Sequence, residues 1–273
     1  MQAHSDRMRR QGKTIVFVPT MGFLHEGHLS LLETGKAHGD HLVLSIFVNP
    51  TQFAAGEDFA SYPKSFEKDA RAAENQGVDV LFAPEATGLY EPGYETYVSL
   101  ESLPNHLCGL SRPTHFRGVA TVVAKLFNIV KPHVAIFGEK DFQQLAVIRR
   151  MTRDMNFDIK IMGAPIVREP DGLAMSSRNT YLKPEQRPAA LSLYKSLVLA
   201  RKMVASGETG AAAIIEAARN LILSFPDTAI DYVAICDPDT LEDMDSLDRP
   251  ALMALAVRVG SCRLIDNMVL VRS

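Results

Sequence analysis

The chain has 273 residues, of which 47% are apolar and 22% are charged, and its formal net charge at pH 7 is −3. This length can bury a large core and is enough for two domains, whereas the acidic balance offers no basic face to a nucleic-acid backbone. No apolar run reaches the roughly 20 residues that span a bilayer, so the composition argues against both nucleic-acid and membrane partners.

The N-terminus and the cysteines indicate the cellular compartment. Residues 1–13 are polar and basic and contain no apolar stretch, so we expect no secretory signal. The cysteines are odd in number and widely separated: Cys108, Cys236 and Cys262. Such a set is typical of reduced, buried thiols rather than of a disulfide framework. The sequence therefore predicts a cytoplasmic protein.

Short apolar runs alternate with helical patterns along the first 165 residues. The predicted strands are 15–18, 42–48, 78–83, 134–137 and 159–162. The predicted helices are 28–38, 65–76, 118–130 and 141–155. Strands without apolar–polar alternation are typical of parallel strands that are buried on both faces. We therefore predict an α/β fold with a Rossmann-like, doubly wound parallel sheet over residues 1–165.

The pattern changes after about residue 164. The predicted elements beyond it are a short strand at 166–168, helices at 184–205 and 210–225, and strands at 230–236, 251–259 and 263–266. Strands that are collected after helices favour an α+β arrangement. We therefore predict that residues 166–273 form a second, smaller C-terminal α+β domain.

The segment after the first predicted strand carries the strongest functional signal. It places His25 and His28, with Gly27 between them, at a strand-to-helix turn. Parallel sheets bind ligands at such turns, and a helix N-terminus offers free N–H groups to a phosphate. A zinc site is disfavoured, because the His-Glu-x-x-His motif needs histidines four residues apart and here they are three apart. The His-x-Gly-His pattern resembles a signature of ATP-dependent nucleotidyl transferases.

A second motif lies about 150 residues further along the chain. Met175-Ser176-Ser177-Arg178 resembles the phosphate-gripping signature of the same superfamily. Neither motif is specific alone, but the two in this order are a strong combination. The sequence has no Gly-x-x-x-x-Gly-Lys-Ser/Thr loop and no Gly-x-Ser-x-Gly elbow, which argues against a P-loop kinase and an α/β-hydrolase.

Polar residues also follow other predicted strands. Asn49 and Gln52 follow the second one, where an amide can bind hydroxyl or carboxylate groups, although Asn49 is equally typical of a turn. Gly138 and Lys140 follow the fourth strand, where they can admit and bind a phosphate. Asp141 can accept from ribose hydroxyls or cap the next helix. These segments belong to the same predicted edge of the sheet as the two histidines.

A basic segment precedes the helix at 118–130. It contains Arg112, His115 and Arg117. Such a segment can form a mobile gate for an anion, or it can be a solvated loop, and the sequence does not choose between these two interpretations.

Taken together, these motifs resemble the pantothenate synthetase family. The resemblance rests on residues 19–28, 45–53, 112–116, 137–144, 175–179 and 263–267, and it extends over nearly the whole chain. The N-terminus is shorter than is usual in the family by about one helix or strand. The resemblance implies condensation of pantoate with β-alanine, driven by ATP through a pantoyl adenylate, in a homodimer. It also implies Mg²⁺ bound mainly by phosphate oxygens and water, without a protein metal site.

The resemblance also implies roles for individual residues. The catalytic set is His25, His28 and Lys140, with His28 as proton donor at the α-phosphate. Gln52 and Gln144 bind pantoate. The residues implied in ATP binding are Met21, Gly22, Phe23, Leu24, His25, Glu26, Gly27, His28, Gly138, Glu139, Lys140, Asp141, Val167, Met175, Ser176, Ser177 and Arg178. Within this set, Gly138 and Asp141 contact the ribose and the backbone at Val167 contacts the adenine.

Two other classes of function stay open at this point. One is a related nucleotidyl transferase, such as a cytidylyltransferase, which releases a stable nucleotide ester. Release of AMP that depends on an amine distinguishes a synthetase from that class. The other is a nucleotide-binding protein without catalysis, which the intact polar motifs disfavour. A tRNA synthetase is disfavoured because the chain has no anticodon-binding domain and carries a net negative charge.

Overall fold

The structure, a computed structural model, describes residues 1–53, 59 and 61–272. The strands are β1 Ile15–Thr20, β2 His41–Ile46, β3 Val80–Phe82, β4 Val134–Gly138, β5 Lys160–Ala164, β6 Thr228–Cys236, β7 Ala251–Val259 and β8 Cys262–Leu270. The helices are α1 Gln2–Arg10, α2 Glu26–Lys36, α3 Phe66–Asn75, α4 Ala86–Leu89, α5 Cys108–Ser111, α6 His115–Val130, α7 Phe142–Asp154, α8 Arg187–Ala190, α9 Ser192–Ala205 and α10 Ala211–Leu223. Short 3₁₀ turns lie at Pro50–Gln52, Leu103–Asn105, Glu139–Asp141, Ser177–Tyr181 and Pro184–Gln186.

The first sheet is parallel throughout and has the strand order β3-β2-β1-β4-β5. In its register, Ile15 of β1 lies opposite His41 of β2, and Val16 lies opposite Val134 of β4. The chain therefore runs outward from β1 to β3 and then crosses to the other side of β1. This reversal between β1 and β4 creates the crevice in which doubly wound sheets bind ligands. The predicted fold class is confirmed.

The apolar strands of this sheet are buried on both faces. Ile15 and Phe17 of β1 pack in one core cluster with α6 and α7. Val16 and Val18, which point to the opposite face, pack in another cluster with α2. Because both faces are covered by helices, the strand sequence shows continuous apolar residues instead of alternation.

The second sheet is antiparallel, with the order β6-β7-β8, and α9 and α10 pack against it. Its central strand β7 is buried on both faces. Met253 and Leu255 of β7 face the core that contains α9 and α10, whereas Leu252 and Ala254 face the core of the first sheet. The predicted α+β arrangement is therefore observed, and the domain division at residues 165 and 166 stays a prediction.

The structure also corrects parts of the predicted secondary structure. Residues 166–168 are not a strand, since Arg168 forms only an isolated bridge with Ala174. The predicted helix 184–205 contains a 3₁₀ turn, α8 and α9, with prolines at the starts of the first two, where a missing N–H is tolerated. β8 extends to Leu270, four residues beyond the predicted strand end at Asp266.

Helix α1 was not predicted, because its sequence is polar and basic. It packs on the first core through the partly buried side chain of Met8, and the preceding Met1 packs there as well. Cys236 and Cys262 are buried as expected, but Cys108 is half-buried, and none of the three forms a disulfide. In the part of the chain that the structure describes, no helix combines the length and apolar character that crossing a membrane requires.

Candidate active site

His25 and Lys140 lie at the carboxyl ends of neighbouring strands. His25 follows β1 and is the N-cap residue of α2. Lys140 follows β4 in the 3₁₀ turn Glu139–Asp141, which leads into α7. Because β1 and β4 pair in parallel, both segments lie at the same edge of the sheet. A cleft of about 240 Å³ opens at this edge.

Most of the residues implied by the sequence line this cleft. They are Met21, His25, Gly27, His28, Gln52, Gly138, Lys140, Asp141, Gln144, Val167, Met175, Ser176, Ser177 and Arg178. The remaining ATP-binding candidates are not among the lining residues: Gly22, Phe23, Leu24, Glu26 and Glu139. These five residues lie within the turns that carry the lining side chains. The tertiary structure thus brings motifs from both halves of the chain to one cleft.

Residues 20–28, here called the histidine turn, are held by hydrogen bonds within the turn itself. The Nδ1 atom of His25 accepts the backbone N–H of Gly27 at 3.1 Å. The Nδ1 atom of His28 accepts the backbone N–H of His25 at 3.3 Å. A β-carbon at residue 27 would lie 2.9 Å from Cε1 of His25, so only glycine lets this ring lie across the backbone.

Burial keeps both imidazoles neutral. Burial, together with the neighbouring His25 and Lys140, lowers the pKa of His28 to about 3. Burial, followed by the positive charge of Lys140, also lowers the pKa of His25. Since each Nδ1 accepts a hydrogen bond, we assign the proton of each neutral ring to Nε2. The cleft therefore contains two adjacent neutral N–H donors, whose ring centroids are 4.1 Å apart.

Asp69 of α3 fixes the backbone of the histidine turn, although no sequence motif points to this residue. Its two carboxylate oxygens accept the N–H groups of Phe23 at 2.7 Å and Leu24 at 2.8 Å. Phe23 has a positive φ of 53°, an unfavourable conformation for a bulky residue, and the carboxylate holds it in place. Because Asp69 lies within an ordinary amphipathic helix pattern, no local signal distinguished it.

The 3₁₀ turn Glu139–Asp141, which carries Lys140, is held by hydrogen bonds from the second sheet. The Nδ2 atom of Asn267 donates to the carbonyl oxygens of Glu139 at 3.0 Å and Lys140 at 2.9 Å. Nζ of Lys140 lies 3.9 Å from Oδ1 of Asp141. Although Asp141 is the N-cap residue of α7, its side chain makes no capping hydrogen bond, so the alternative capping role is wrong. Asp141 is instead one of the residues that line the cleft.

Residues 175–178, here called the serine–arginine loop, reach the cleft from the second half of the chain. Oγ of Ser176 accepts the backbone N–H of Arg178 at 3.3 Å and caps the 3₁₀ turn Ser177–Tyr181. Oγ of Ser177 lies 3.4 Å from the hydroxyl of Tyr62, and the guanidinium of Arg178 lies 5.9 Å from the centre of the same ring. Tyr62 is a second contact that sequence reasoning missed.

The amide segment after β2 and the basic segment around the start of α6 contact each other. Asn49 is a buried turn residue, whose Nδ2 donates to Oε1 of Gln52 at 3.0 Å and to the carbonyl of Gly118 at 3.1 Å. The carbonyl of Gln52 accepts from Arg112 Nη2 at 3.1 Å and from His115 Nδ1 at 2.9 Å. Arg112 and His115 therefore hold the backbone of Gln52, and both side chains belong to the lining of the cleft.

Arg117, Gln143 and Gln144 differ in whether they contribute to the cleft. The guanidinium of Arg117 stacks 4.5 Å from the ring centre of Tyr97, outside the cleft. Gln143 is buried and bonded, with Oε1 accepting from Cys108 N and Nε2 donating to the carbonyl of Leu103. Gln144 lines the cleft. Of these two successive residues of α7, Gln143 therefore has a structural role and Gln144 is the candidate for binding a ligand.

The carboxylates of the described residues provide no metal centre. No group of three or more His, Cys, Asp or Glu is arranged to hold a metal ion in the described part of the chain. Asp141 is the only carboxylate among the described residues that line the cleft. The cleft is instead rich in cations and N–H donors, which is a combination suited to phosphate.

Comparison with known proteins agrees with this chemistry. A family model described as pantoate-beta-alanine ligase matches residues 1–269. The chain belongs to the pantoate–β-alanine ligase family. Within the family, the pantothenate synthetase of Desulfatibacillum aliphaticivorans is 63% identical over 270 residues, which cover 99% of this chain and 96% of the relative. That of Desulforapulum autotrophicum is 59% identical over 270 residues, which cover 99% and 95%.

Solved structures of pantoate–β-alanine ligases share the fold. Pantothenate synthetase from Thermus thermophilus is 43% identical with a TM-score of 0.92, and the match covers 97% of this chain and 96% of that one. The Francisella tularensis ligase, solved with beta-gamma ATP and β-alanine, is 32% identical with a TM-score of 0.79 over 98% of this chain and 95% of that one. The family resemblance that the motifs indicated is confirmed.

Proposed function

We propose that the protein condenses pantoate with β-alanine and converts ATP to AMP and diphosphate. One observation carries the proposal: the neutral histidines, Lys140 and the serine–arginine loop line a single cleft at the switch point of the sheet. Membership of the pantoate–β-alanine ligase family supplies the identity of the substrates. The related Francisella tularensis structure, with beta-gamma ATP and β-alanine bound, supports the same choice.

The first step activates a carboxylate, which is by itself a poor acyl donor to an amine. An oxygen of the pantoate carboxylate attacks the α-phosphorus of ATP. The bond from this phosphorus to the bridging oxygen breaks, and diphosphate leaves with the electron pair. His25 and His28 donate from Nε2 to the α-phosphate oxygens as negative charge develops there. Since both rings are neutral, His28 acts as a hydrogen-bond donor at this step rather than as an imidazolium acid.

The second step forms the amide. The neutral amine of β-alanine attacks the acyl carbon of the pantoyl adenylate, the bond to AMP breaks, and the amine proton passes to water. Lys140, Ser176, Ser177 and Arg178 are assigned to the outer phosphates and to the departing diphosphate. Their role is to balance charge that is present in both the ground state and the transition state.

The remaining ATP contacts are assigned from the cleft lining. A β-carbon at Gly138 would meet no atom within 4 Å, which leaves open space for a ribose beside the carboxylate of Asp141. Val167 lines the same cleft and its backbone is assigned to the adenine. Five further residues are assigned an indirect role, because they belong to the turns whose side chains line the nucleotide site: Gly22, Phe23, Leu24, Glu26 and Glu139.

Pantoate is assigned to the two amides of the cleft. The side-chain oxygen of Gln52 accepts from Asn49, which leaves its NH₂ group for a pantoate oxygen. Gln144 lies on the first turn of α7 and lines the same cleft. Uncharged amides recognise hydroxyl and carboxylate groups through paired donors and acceptors and compete poorly for a triphosphate.

Mg²⁺ is proposed as the companion of ATP. Asp141 is the single carboxylate among the described residues of the lining, so the cleft fits a cation that keeps most of its ligands from phosphate oxygens and water. When bound, Mg²⁺ supplies charge neutralisation of the phosphates. Lys140 and Arg178 supply the protein's share of that neutralisation.

Three properties of the whole protein are proposed on family membership and sequence. The boundary between residues 165 and 166 separates a nucleotide- and pantoate-binding domain from a C-terminal domain that carries the serine–arginine loop. The protein acts in the cytoplasm, which three scattered cysteines without a disulfide support. It acts as a homodimer, which light scattering coupled to size-exclusion chromatography tests directly.

The proposed reaction is tested by measuring AMP with ATP, Mg²⁺ and pantoate, in the presence and absence of β-alanine. We expect multiple-turnover AMP release only with β-alanine, and without it one equivalent of diphosphate per active site. A stable nucleotide ester that accumulates regardless of the amine would instead indicate a cytidylyltransferase-like enzyme. No diphosphate with any substrate combination would overturn catalysis.

A further inference from the structure

Two adjacent polar residues of β8 are both buried. Asp266 is 3% exposed and Asn267 is 6% exposed. Successive side chains of a strand point to opposite faces, so two consecutive buried polar residues require cover on both sides. β8 is an edge strand of its sheet, and the cover comes from segments outside that sheet. Both residues belong to the segment 263–267, whose motif carries no role in the reaction described above.

Asn267 is bonded to the turn that carries Lys140. Its Nδ2 atom donates at 3.0 Å to the carbonyl of Glu139 and at 2.9 Å to the carbonyl of Lys140. Both hydrogens of the amide are therefore used on successive peptide groups of one 3₁₀ turn. This arrangement fixes the backbone at Lys140 relative to β8.

Asp266 is bonded to Arg168, at the other side of β8. Its two oxygens accept from Nη1 of Arg168 at 2.6 Å and from Nη2 at 2.9 Å. The same guanidinium donates to the carbonyl of Gly172 at 3.1 Å and lies 4.3 Å from the ring centre of Tyr194. A bidentate pair with these extra contacts has a single defined geometry.

Arg168 stands at the base of the hairpin that leads to the serine–arginine loop. It forms a bridge with Ala174, and the backbone N–H of Met175 donates to the carbonyl of Val167 at 3.0 Å. Ser176 follows directly. The position of Arg168 therefore sets where the loop leaves the hairpin.

We propose that Asp266 and Asn267 are positioning residues that set the distance between Lys140 and the serine–arginine loop. Consecutive Cα atoms lie about 3.8 Å apart across a trans peptide, so neighbours on one strand give a fixed link between the two segments. The inference rests on the proposed assignment of Lys140 and Arg178 to the phosphates of ATP. Through this link, the second sheet sets the distance between Lys140 and Arg178 so that both can contact the phosphates of one ATP molecule.

A double-mutant cycle of Asn267→Ala with Lys140→Ala tests the link. The dissociation constant of ATP with Mg²⁺ is measured by calorimetry, without pantoate or β-alanine. We expect Asn267→Ala to weaken ATP binding about tenfold in the wild type and less than about twofold in the Lys140→Ala background, since coupled residues are not additive. An equal weakening in both backgrounds would overturn the proposal, because a merely structural role acts independently of Lys140.

Asp266 is tested in the same way, with Asp266→Asn in the wild type and in an Arg178→Ala background. We expect Asp266→Asn to weaken ATP binding in the wild type and to have a smaller effect in the Arg178→Ala background. An equal weakening of ATP binding in both backgrounds would show that Asp266 does not position the loop. If circular dichroism shows that Asn267→Ala does not fold, Asn267→Ser, which cannot bridge both carbonyls, is taken through the same cycle. Asn128→Ala is the matched control, because this amide also donates to a backbone carbonyl, that of Ala124, but lies on α6 away from β8.

Failure of this inference is distinguishable from failure of the proposed function. The cycle is measured on ATP binding alone and does not depend on the acyl substrate or on the amine. An additive cycle in a protein that makes AMP overturns only the positioning role. A protein that binds ATP with the expected coupling but forms no AMP overturns the proposed reaction and leaves the link in place.

Discussion

The histidine turn and the serine–arginine loop face the same cleft, but they are built in opposite ways. The turn presents neutral rings, and hydrogen bonds within residues 20–28 and to Asp69 hold its backbone. The loop presents a cation, and its position depends on the distant pair of Arg168 and Asp266. In the turn, hydrogen bonds between neighbouring residues and the carboxylate of Asp69 set the geometry, whereas the position of the loop depends on the ion pair between Arg168 and Asp266.

The two segments differ because they are proposed to stabilise negative charge on different phosphates of ATP. Negative charge that develops at one atom during reaction is best stabilised by donors that are already fixed, and burial of a neutral ring costs little. Charge on the outer phosphates is present throughout, so cations that keep contact with water can balance it. The predictions below test this division, in order of decreasing effect.

Replacing His28 should have the largest effect. His28→Ala removes one fixed Nε2–H donor, which costs about 3–4 kcal/mol of transition-state stabilisation, or ~10²–10³ in rate. Pantoyl-adenylate formation in a single turnover measures this loss. His38→Ala is the control, because His38 is exposed just beyond the end of the same helix. A rate for His28→Ala close to that of the wild type would contradict the role of the turn.

Weakening the hydrogen bonds that hold the histidine turn, while keeping both imidazole rings, should have the next largest effect. Asp69→Asn leaves only one good acceptor for the N–H groups of Phe23 and Leu24, at a cost of about 1–3 kcal/mol in the free energy of unfolding. Adenylation should fall even where the protein is fully folded, because His25 shifts. The control is Asp40→Asn, since Asp40 accepts the N–H of Thr14 at the opposite end of β1. Equal adenylation rates for both variants would show that the turn does not need this clamp.

Acidification should destabilise the turn. The pKa of His28 is about 3 in the folded protein and about 6.5 when unfolded, so below pH 6.5 the unfolded state binds a proton that the folded state does not. Between pH 7 and pH 5 this difference should lower the free energy of unfolding by about 2 kcal/mol, a loss that His28→Asn removes. Urea unfolding at both pH values measures it. An identical pH dependence in the variant would place the acid sensitivity elsewhere.

Removing the cation of the loop should have the smallest and most salt-dependent effect. We expect ATP with Mg²⁺ to protect the amides of residues 175–179 from hydrogen exchange, and Arg178→Ala to remove much of this protection. The loss in ATP affinity should be about 1 kcal/mol at low ionic strength and less in high salt. Arg219→Ala, an exposed change on α10, is the control. Unchanged protection of the loop by nucleotide in the wild type would show that it does not contact ATP.

Several features of this protein were determined by local sequence and could be predicted from it. Val16, Phe17 and Val18 form a continuous apolar run because β1 is buried on both faces, and this pattern indicated a parallel sheet. The His-x-Gly-His spacing placed both rings at a helix N-terminus, since a helix cap is formed by residues close in sequence. Family membership followed from the order of such local motifs.

Other features were decided only by the tertiary structure, because they depend on distant residues or on burial. Asp69 reaches the histidine turn across 46 positions, and Asp266 reaches Arg168 across 98. The neutral state of His28 comes from the burial of its ring, which no spacing reveals. Gln143 and Gln144 are identical neighbours in sequence, but the helical step of about 100° turns one into the core and the other into the cleft. The spacing of residues in the sequence determines which side chains lie together in a turn or helix cap. Packing in the tertiary structure determines their charge, their partners and the direction in which they point.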